Sequence, residues 1–196
     1  MVVVDEMVPA YLDKPMQALA YWIGYEKCRY GGYKITELPL VAEYSRLVHS
    51  SLKDNLRVEC EKRYEDFIKT ESLLKGRRAD LCIFEKDSGS LVCVIEAKLY
   101  TSSKKRRQDD LMRLLSLKKE NPQVRAFLLV FSEGVIPEEY MNKKKTGANA
   151  KYMPLEPGWF YKVRRVVKAS EHLRDANQKK GHYVCLLEIV QKDGKK

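Results

Sequence analysis

The sequence lacks the long apolar stretch that a membrane-spanning helix needs, since no run approaches the roughly 18 residues required. Residues 1–6 hold three consecutive valines and two acids, with no basic leader before them. They do not read as a secretory signal, so a cytoplasmic address, or a nuclear one in a eukaryote, is expected rather than secretion. Histidine is scarce: His49, His172 and His182 stand far apart and form no zinc-ligand spacing. The five cysteines are odd in number and contain no C-x-x-C pair. Cys82, Cys93 and Cys185 sit inside apolar, strand-like runs, which points to buried free thiols in a reducing compartment. Internal repeats and long low-complexity linkers are also missing.

What is present suits one globular domain. The chain has 196 residues, 44% hydrophobic and 33% charged, enough apolar material for a core and too much for wholesale disorder. Its formal net charge of +10 argues for a polyanionic partner, nucleic acid or an anionic membrane surface. The expected layout is an N-terminal helical extension (1–35), a core (36–131), C-terminal helices and strands (132–190) and a charged tail (191–196).

The hydrophobic pattern supplies the elements. Asp13-Lys14-Pro15 reads as the cap and first turn of a helix over 16–25, and Gly31-Gly32 breaks it. A second helix is predicted over 36–55, with Thr36 as N-cap and Leu40, Tyr44, Leu47, Val48 and Leu52 at helical spacing. Residues 57–68 alternate like a strand. Two further strands, 79–84 and 91–97, flank the turn signal Asp87-Ser88-Gly89 and suggest a hairpin. A helix over 108–119 ends at Pro122, and 124–131 is a continuous apolar strand. Beyond it the pattern predicts a short helix (137–145), strands at 159–167 and 183–190, and a polar helix (170–179) between them. The fold class is therefore α/β, a central mixed sheet flanked by helices with a small C-terminal α/β appendage.

Asp80 and Glu96 lie on neighbouring predicted strands, and strand periodicity projects Glu96 and Lys98 to one face. Two acids brought together among apolar residues repel each other and pay for desolvation. A divalent cation removes both penalties. Mg²⁺ suits oxygen donors and a partly hydrated site, with Mn²⁺ as its substitute. The backbone carbonyl of Ala97 could add one hard ligand. Lys98 could orient the attacking water or stabilise charge on a scissile phosphate. The plain alternative is a structural salt bridge of Lys98 with Asp80, which leaves Glu96 without a partner.

The segment Arg78-Ala79-Asp80 … Glu96-Ala97-Lys98 resembles the PD-(D/E)XK nuclease superfamily, whose motif is an Asp at a strand start followed by (D/E)-x-K on the next strand. Ala79 replaces the nominal Pro. The resemblance spans roughly residues 36–131 and implies a restriction-endonuclease-like core, Mg²⁺-dependent phosphodiester hydrolysis, and catalytic Asp80, Glu96 and Lys98. It also implies an acid on the helix before the sheet, for which Glu43 is the candidate metal ligand and Glu37 its rival. A Gln on the helix after the motif is matched by Gln108. Asp193-Gly194-Lys195 repeats the triplet in the charged tail, outside any predicted strand.

The run Lys104-Lys105-Arg106-Arg107 follows the motif closely and would sit beside the cation, where phosphate contacts give sequence-independent affinity. Lys143, Lys144, Lys145, Arg164 and Arg165 are candidates to extend that surface. The twelve tyrosines, with Trp22 and Trp159, read as packing residues. The expected activity is a nuclease, on DNA rather than RNA by analogy with most families of this fold. Double-strand cutting from a single site calls for a homodimer or a partner subunit. The alternatives are a non-catalytic basic nucleic-acid-binding module and, less consistent with the charge, a protein-interaction domain.

Overall fold

A computed structural model describes residues 7–30, 34–67, 74–172 and 179–192. Its helices are α1 (Ala10–Tyr30), α2 (Glu37–Ser51) and α3 (Lys104–Glu120). Its strands are β1 (Leu56–Arg63), β2 (Arg78–Glu85), β3 (Leu91–Leu99), β4 (Arg125–Glu133), β5 (Tyr152–Glu156), β6 (Trp159–His172) and β7 (Lys179–Gln191). All seven strands form one mixed sheet in the order β1-β2-β3-β4-β7-β6-β5. β3 and β4 are parallel and joined through α3, whereas every other neighbouring pair is antiparallel.

Alternation along the strands divides the core in two. Leu81, Ile83, Ile95, Phe127 and Leu129 pack with Leu12, Met16, Leu40 and Tyr44 of α1 and α2. Cys82, Val94, Leu128 and Val130 pack with Leu111, Leu114 and Leu115 of α3. The central strands are covered on both sides, which explains their nearly unbroken apolar sequence. Each buried leucine or phenylalanine there contributes roughly 1.5–3 kcal/mol.

Several local expectations change. α1 begins before Asp13: the amides of Leu12 and Asp13 bond the carbonyl of Pro9, and Asp13 instead pairs with Arg165 at 2.8 Å. Pro15 is the sixth residue of α1 and removes the donor that would have bonded the Tyr11 carbonyl, a local cost that the buried Leu12, Met16 and Leu19 outweigh. Thr36 is the N-cap of α2, though its side chain makes no capping bond. The basic run lies inside α3, whose cap is Ser103 accepting from the Arg106 amide at 3.3 Å. The helix foreseen over 137–145 shrinks to a single 3-10 turn, Glu138–Tyr140.

The C-terminal region is no separate appendage, because β7 bonds directly to β4 and extends the central sheet. Within the helix foreseen over 170–179, Ser170–His172 and Lys179 belong to strands β6 and β7, and residues 173–178 lie outside the described residues. Long paired runs of β-branched and aromatic residues on both sides override the polar helical pattern between them. The strand foreseen over 57–68 ends at Arg63, where Tyr64–Asp66 turns into a single 3-10 helix; residue 68, the Gly31-Gly32 break, residues 1–6 and the tail triplet lie outside the described residues. Cys82, Cys93 and Cys185 are buried free thiols, while Cys28 and Cys60 are exposed. Among the described residues no helix is long and apolar enough to cross a membrane.

Candidate functional site

Asp80 stands near the start of β2 and Glu96 near the end of β3, and the antiparallel hairpin brings these ends together. The β2–β3 ladder stops at Leu81↔Ile95. Beyond it the Ala97 amide donates to Asp80 Oδ2 at 2.6 Å, so a carboxylate replaces the next rung. A strand residue turns its N–H and C=O toward the same neighbour, so the Ala97 carbonyl also faces β2.

Glu96 is only 3% exposed. Its Oε1 accepts from the Tyr64 hydroxyl at 2.5 Å and lies 3.7 Å from Arg113 Nε. Burial, then the neighbouring Asp80 charge, pushes its carboxyl up to about 8, against the opposing pull of Tyr64 and Arg113. Asp80 is also raised, chiefly by burial and less by Glu37, while the Ala97 amide and Lys98 oppose the rise. The two carboxyl groups raise the cost of each other's charge at this end of the hairpin.

Lys98 projects on the same side and donates to Glu37 Oε1 at 2.8 Å, with Asp110 Oδ2 at 3.6 Å. Burial pulls its ammonium down, but Glu37, Asp110 and Asp80 leave it above its ordinary range. Glu37 also accepts the Leu99 amide at 3.3 Å through Oε2, which ties the start of α2 to the end of β3. Asp110 and Arg113, one turn apart on α3, pair with each other and complete the group. Burial is the main cause of an upward shift at Asp110, opposed by Arg113 and Lys98.

The group is thus assembled from α2, β2, β3 and α3, with Tyr64 added by the single 3-10 turn Tyr64–Asp66 after β1. Of the two helical acids considered, Glu37 joins Lys98, whereas Glu43 is clasped by Arg46 at 2.6 and 2.9 Å. No described hydrogen bond or ion pair links Glu43 to Asp80, Glu96 or Lys98. Tyr64, Asp110 and Arg113 were not singled out in the sequence. Tyr64 is hidden among tyrosines that pack, but Asp110 carries a signal: it shares the apolar stripe of α3 with Leu111 and Leu114.

Lys104, Lys105, Arg106 and Gln108 are exposed near the start of α3. Arg107 is buried and serves the fold. It donates to the carbonyls of Tyr100 and Ser102, to the Tyr140 hydroxyl and to Glu139, and stacks over Tyr100 at 4.9 Å. That corrects its expected place on a phosphate-binding surface. Arg164 is likewise committed to buried Glu188, which Arg125 also holds at 2.7 Å, and Lys145 pairs with Glu138.

Among the described residues no group of three or more His, Cys, Asp or Glu side chains is gathered as a metal cage. The donor chemistry nonetheless fits a hard divalent cation. Glu37, Asp80, Glu96 and Asp110 carry four carboxylates against two cations, Lys98 and Arg113. Within this excess of negative charge, burial raises the proton affinity of Asp80, Glu96 and Asp110. A cleft of about 340 Å³ lies elsewhere, lined by Met7, Val8, Asp13 and residues 162–165, and touches none of these groups.

Compared with known proteins, the chain matches no family model, no curated protein and no solved structure.

Proposed function

We propose that this chain is a metal-dependent nuclease with a restriction-endonuclease-like core of the PD-(D/E)XK type, hydrolysing phosphodiester bonds of nucleic acid, DNA in preference to RNA. The observation that carries the reading is the four-carboxylate, two-cation cluster at the β2–β3 end, with Glu96 so buried beside Asp80 that it favours a proton. Such a cluster costs stability, and a dication in place of the proton removes that cost. Asp80 and Glu96, with the Ala97 carbonyl, would hold Mg²⁺ or Mn²⁺, and Glu37 and Asp110 are further carboxylates around them. The ion would supply Lewis acidity and a more acidic bound water. Tyr64 fixes the Glu96 carboxylate by its hydrogen bond, and Lys98 supplies a positive charge for the phosphate or the attacking water.

The element order from α2 to β4 agrees with the core that the motif implies. The first turn of α3 adds support: it contains no acid and three exposed cations, Lys104, Lys105 and Arg106. Cations at the positive end of a helix dipole are unfavourable for an isolated helix, and a phosphate backbone reverses that sign.

The test incubates the protein with plasmid DNA and single-stranded RNA, with Mg²⁺, with Mn²⁺ and with chelator. Metal-dependent cleavage of DNA above RNA, lost in Lys98→Ala by about 10²-fold or more, is the expected result. Salt-sensitive binding without cleavage under any metal refutes catalysis and favours the basic binding module.

A further inference from the structure

Asp110 is 2% exposed, and its Oδ2 has no hydrogen-bond partner among the described residues. A buried carboxylate oxygen without a hydrogen-bond partner is costly, and a second state of the protein that employs it gives a reason to keep it. Its surroundings indicate that state. Oδ1 is held by Arg113, so Oδ2 is fixed in direction, and it lies 3.6 Å from Lys98 Nζ. A small rotation of the lysine closes that gap to a full hydrogen bond.

Lys98 Nζ instead stands closer to Glu37, donating to its Oε1 at 2.8 Å. Both Glu37 oxygens are engaged, one by the ammonium and one by the Leu99 amide. Each Glu37 oxygen thus already carries one donor, and serving a cation beside Asp80 and Glu96 would put that cation in competition with the Lys98 ammonium. Resting on the nuclease reading above, we infer that Asp110 is a positioning residue that receives the Lys98 ammonium when Glu37 turns toward a divalent cation. The exchange keeps Lys98 paired throughout, and it leaves the ammonium on the α3 side of the site, next to the basic first turn. Without Asp110, releasing Lys98 from Glu37 would strand a half-buried ammonium.

The prediction is a coupling through Lys98 rather than a general field effect. Mn²⁺ affinity is measured by calorimetry on the whole chain in a double-mutant cycle of Asp110→Asn and Lys98→Met. Asn keeps the size of Asp and an oxygen for Arg113. Asp110→Asn is expected to weaken Mn²⁺ about 10-fold in the wild-type background and less than about 2-fold in Lys98→Met. Equal weakening in both backgrounds, or none in either, overturns the handover. Wild-type protein that fails to bind Mn²⁺, or binds it unchanged after Asp80→Asn, instead overturns the metal site itself and the handover with it.

A second measurement does not depend on the folding of Asp110→Asn. The Lys98 ammonium is followed by ¹⁵N NMR in wild-type protein, assigned by its loss in Lys98→Arg. In the metal-free protein Glu37→Gln should shift this signal. In the Mg²⁺-saturated wild type the signal should already have moved, and Glu37→Gln should then move it no further. A Lys98 signal unchanged by Mg²⁺ also overturns the handover.

Discussion

Replacing Glu96 with Gln should stabilise the metal-free protein, and by an amount that grows with pH. Native Glu96 holds its proton up to about pH 8, whereas the same group ordinarily titrates near 4.5. Between these values the native state binds more protons than the unfolded chain, so stability falls as pH rises across that window. Each pH unit above the ordinary value costs about 1.4 kcal/mol, which reaches roughly 4 kcal/mol near pH 7.5. Gln carries no such cost. Its carbonyl can accept the Tyr64 hydroxyl that the Glu96 carboxyl accepts. Allowing for imperfect replacement, the expected gain is about 1–3 kcal/mol near pH 7.5 and under about 1 kcal/mol near pH 5. Urea unfolding with chelator at both pH values reads the difference directly. Saturating Mg²⁺ should invert the ranking, since ligand at 100 times its Kd adds about 2.7 kcal/mol to a protein that binds it and nothing to one that does not. A variant destabilised equally at both pH values would refute the reasoning, because the buried proton would then carry no cost.

Glu37→Gln should lower metal-dependent cleavage by about 10-fold or more, while Glu43→Gln leaves it within about 2-fold; the opposite ranking in a plasmid assay would restore Glu43 to the site. Tyr64→Phe removes the bond that favours ionised Glu96, so the alkaline rise of the cleavage pH profile should move upward, with a stability loss of about 1 kcal/mol by urea titration. Replacing Lys104, Lys105 and Arg106 together with Ala should reduce the slope of log affinity against log salt by about 2–3 on duplex DNA, with little effect on unfolding. Arg107→Ala should do the reverse: a loss of about 3–5 kcal/mol in stability and an unchanged salt slope, because its donors serve carbonyls, Tyr140 and Glu139.

Legibility followed the range of the interaction. The hairpin of β2 and β3 was readable because a turn signal separates two apolar runs, and the pair Asp80 and Glu96 stood out because acids are expensive at the ends of such runs. α2 was readable from one face, with Leu40, Tyr44 and Val48 all buried. Glu37 was harder to choose than Glu43 because both fit a helix before the sheet. The decision depends on which end of α2 meets β3, and that is a tertiary fact. The joining of β7 to β4 could not be read either, since their paired residues stand 49 or more positions apart and periodicity carries no information about strand order. Arg107 and Lys104 look alike in the run of four. Helical phase distinguishes them only once α3 is known to begin at Lys104 rather than at Gln108.

The site also explains an irregularity at the edge of the sheet. β1 and β2 keep one register from Leu56↔Glu85 to Arg63↔Arg78, yet the pair that would place Glu61 opposite Asp80 is missing. Glu61 has φ of 54°, a left-handed conformation that residues other than Gly, Asn or Asp seldom adopt. The ladder on the other side of Asp80 ends at Leu81. Asp80 therefore stands where both of its neighbours give up a regular rung, and its carboxylate takes the Ala97 amide that a backbone carbonyl would have satisfied. The backbone cost at Glu61, about 1–3 kcal/mol, is borne by strands that are otherwise fully paired. If the strain belongs to the placement of Asp80, Glu61→Gly should relieve it and hold or raise the unfolding midpoint while leaving the Asp80–Ala97 bond in place. Glu61→Val, stiff at χ1 and poor at positive φ, should cost about 1–2 kcal/mol and weaken Mn²⁺ binding as the strand is pulled straight. Equal stability of the Gly and Val variants would mean that the left-handed turn at Glu61 is incidental to the site.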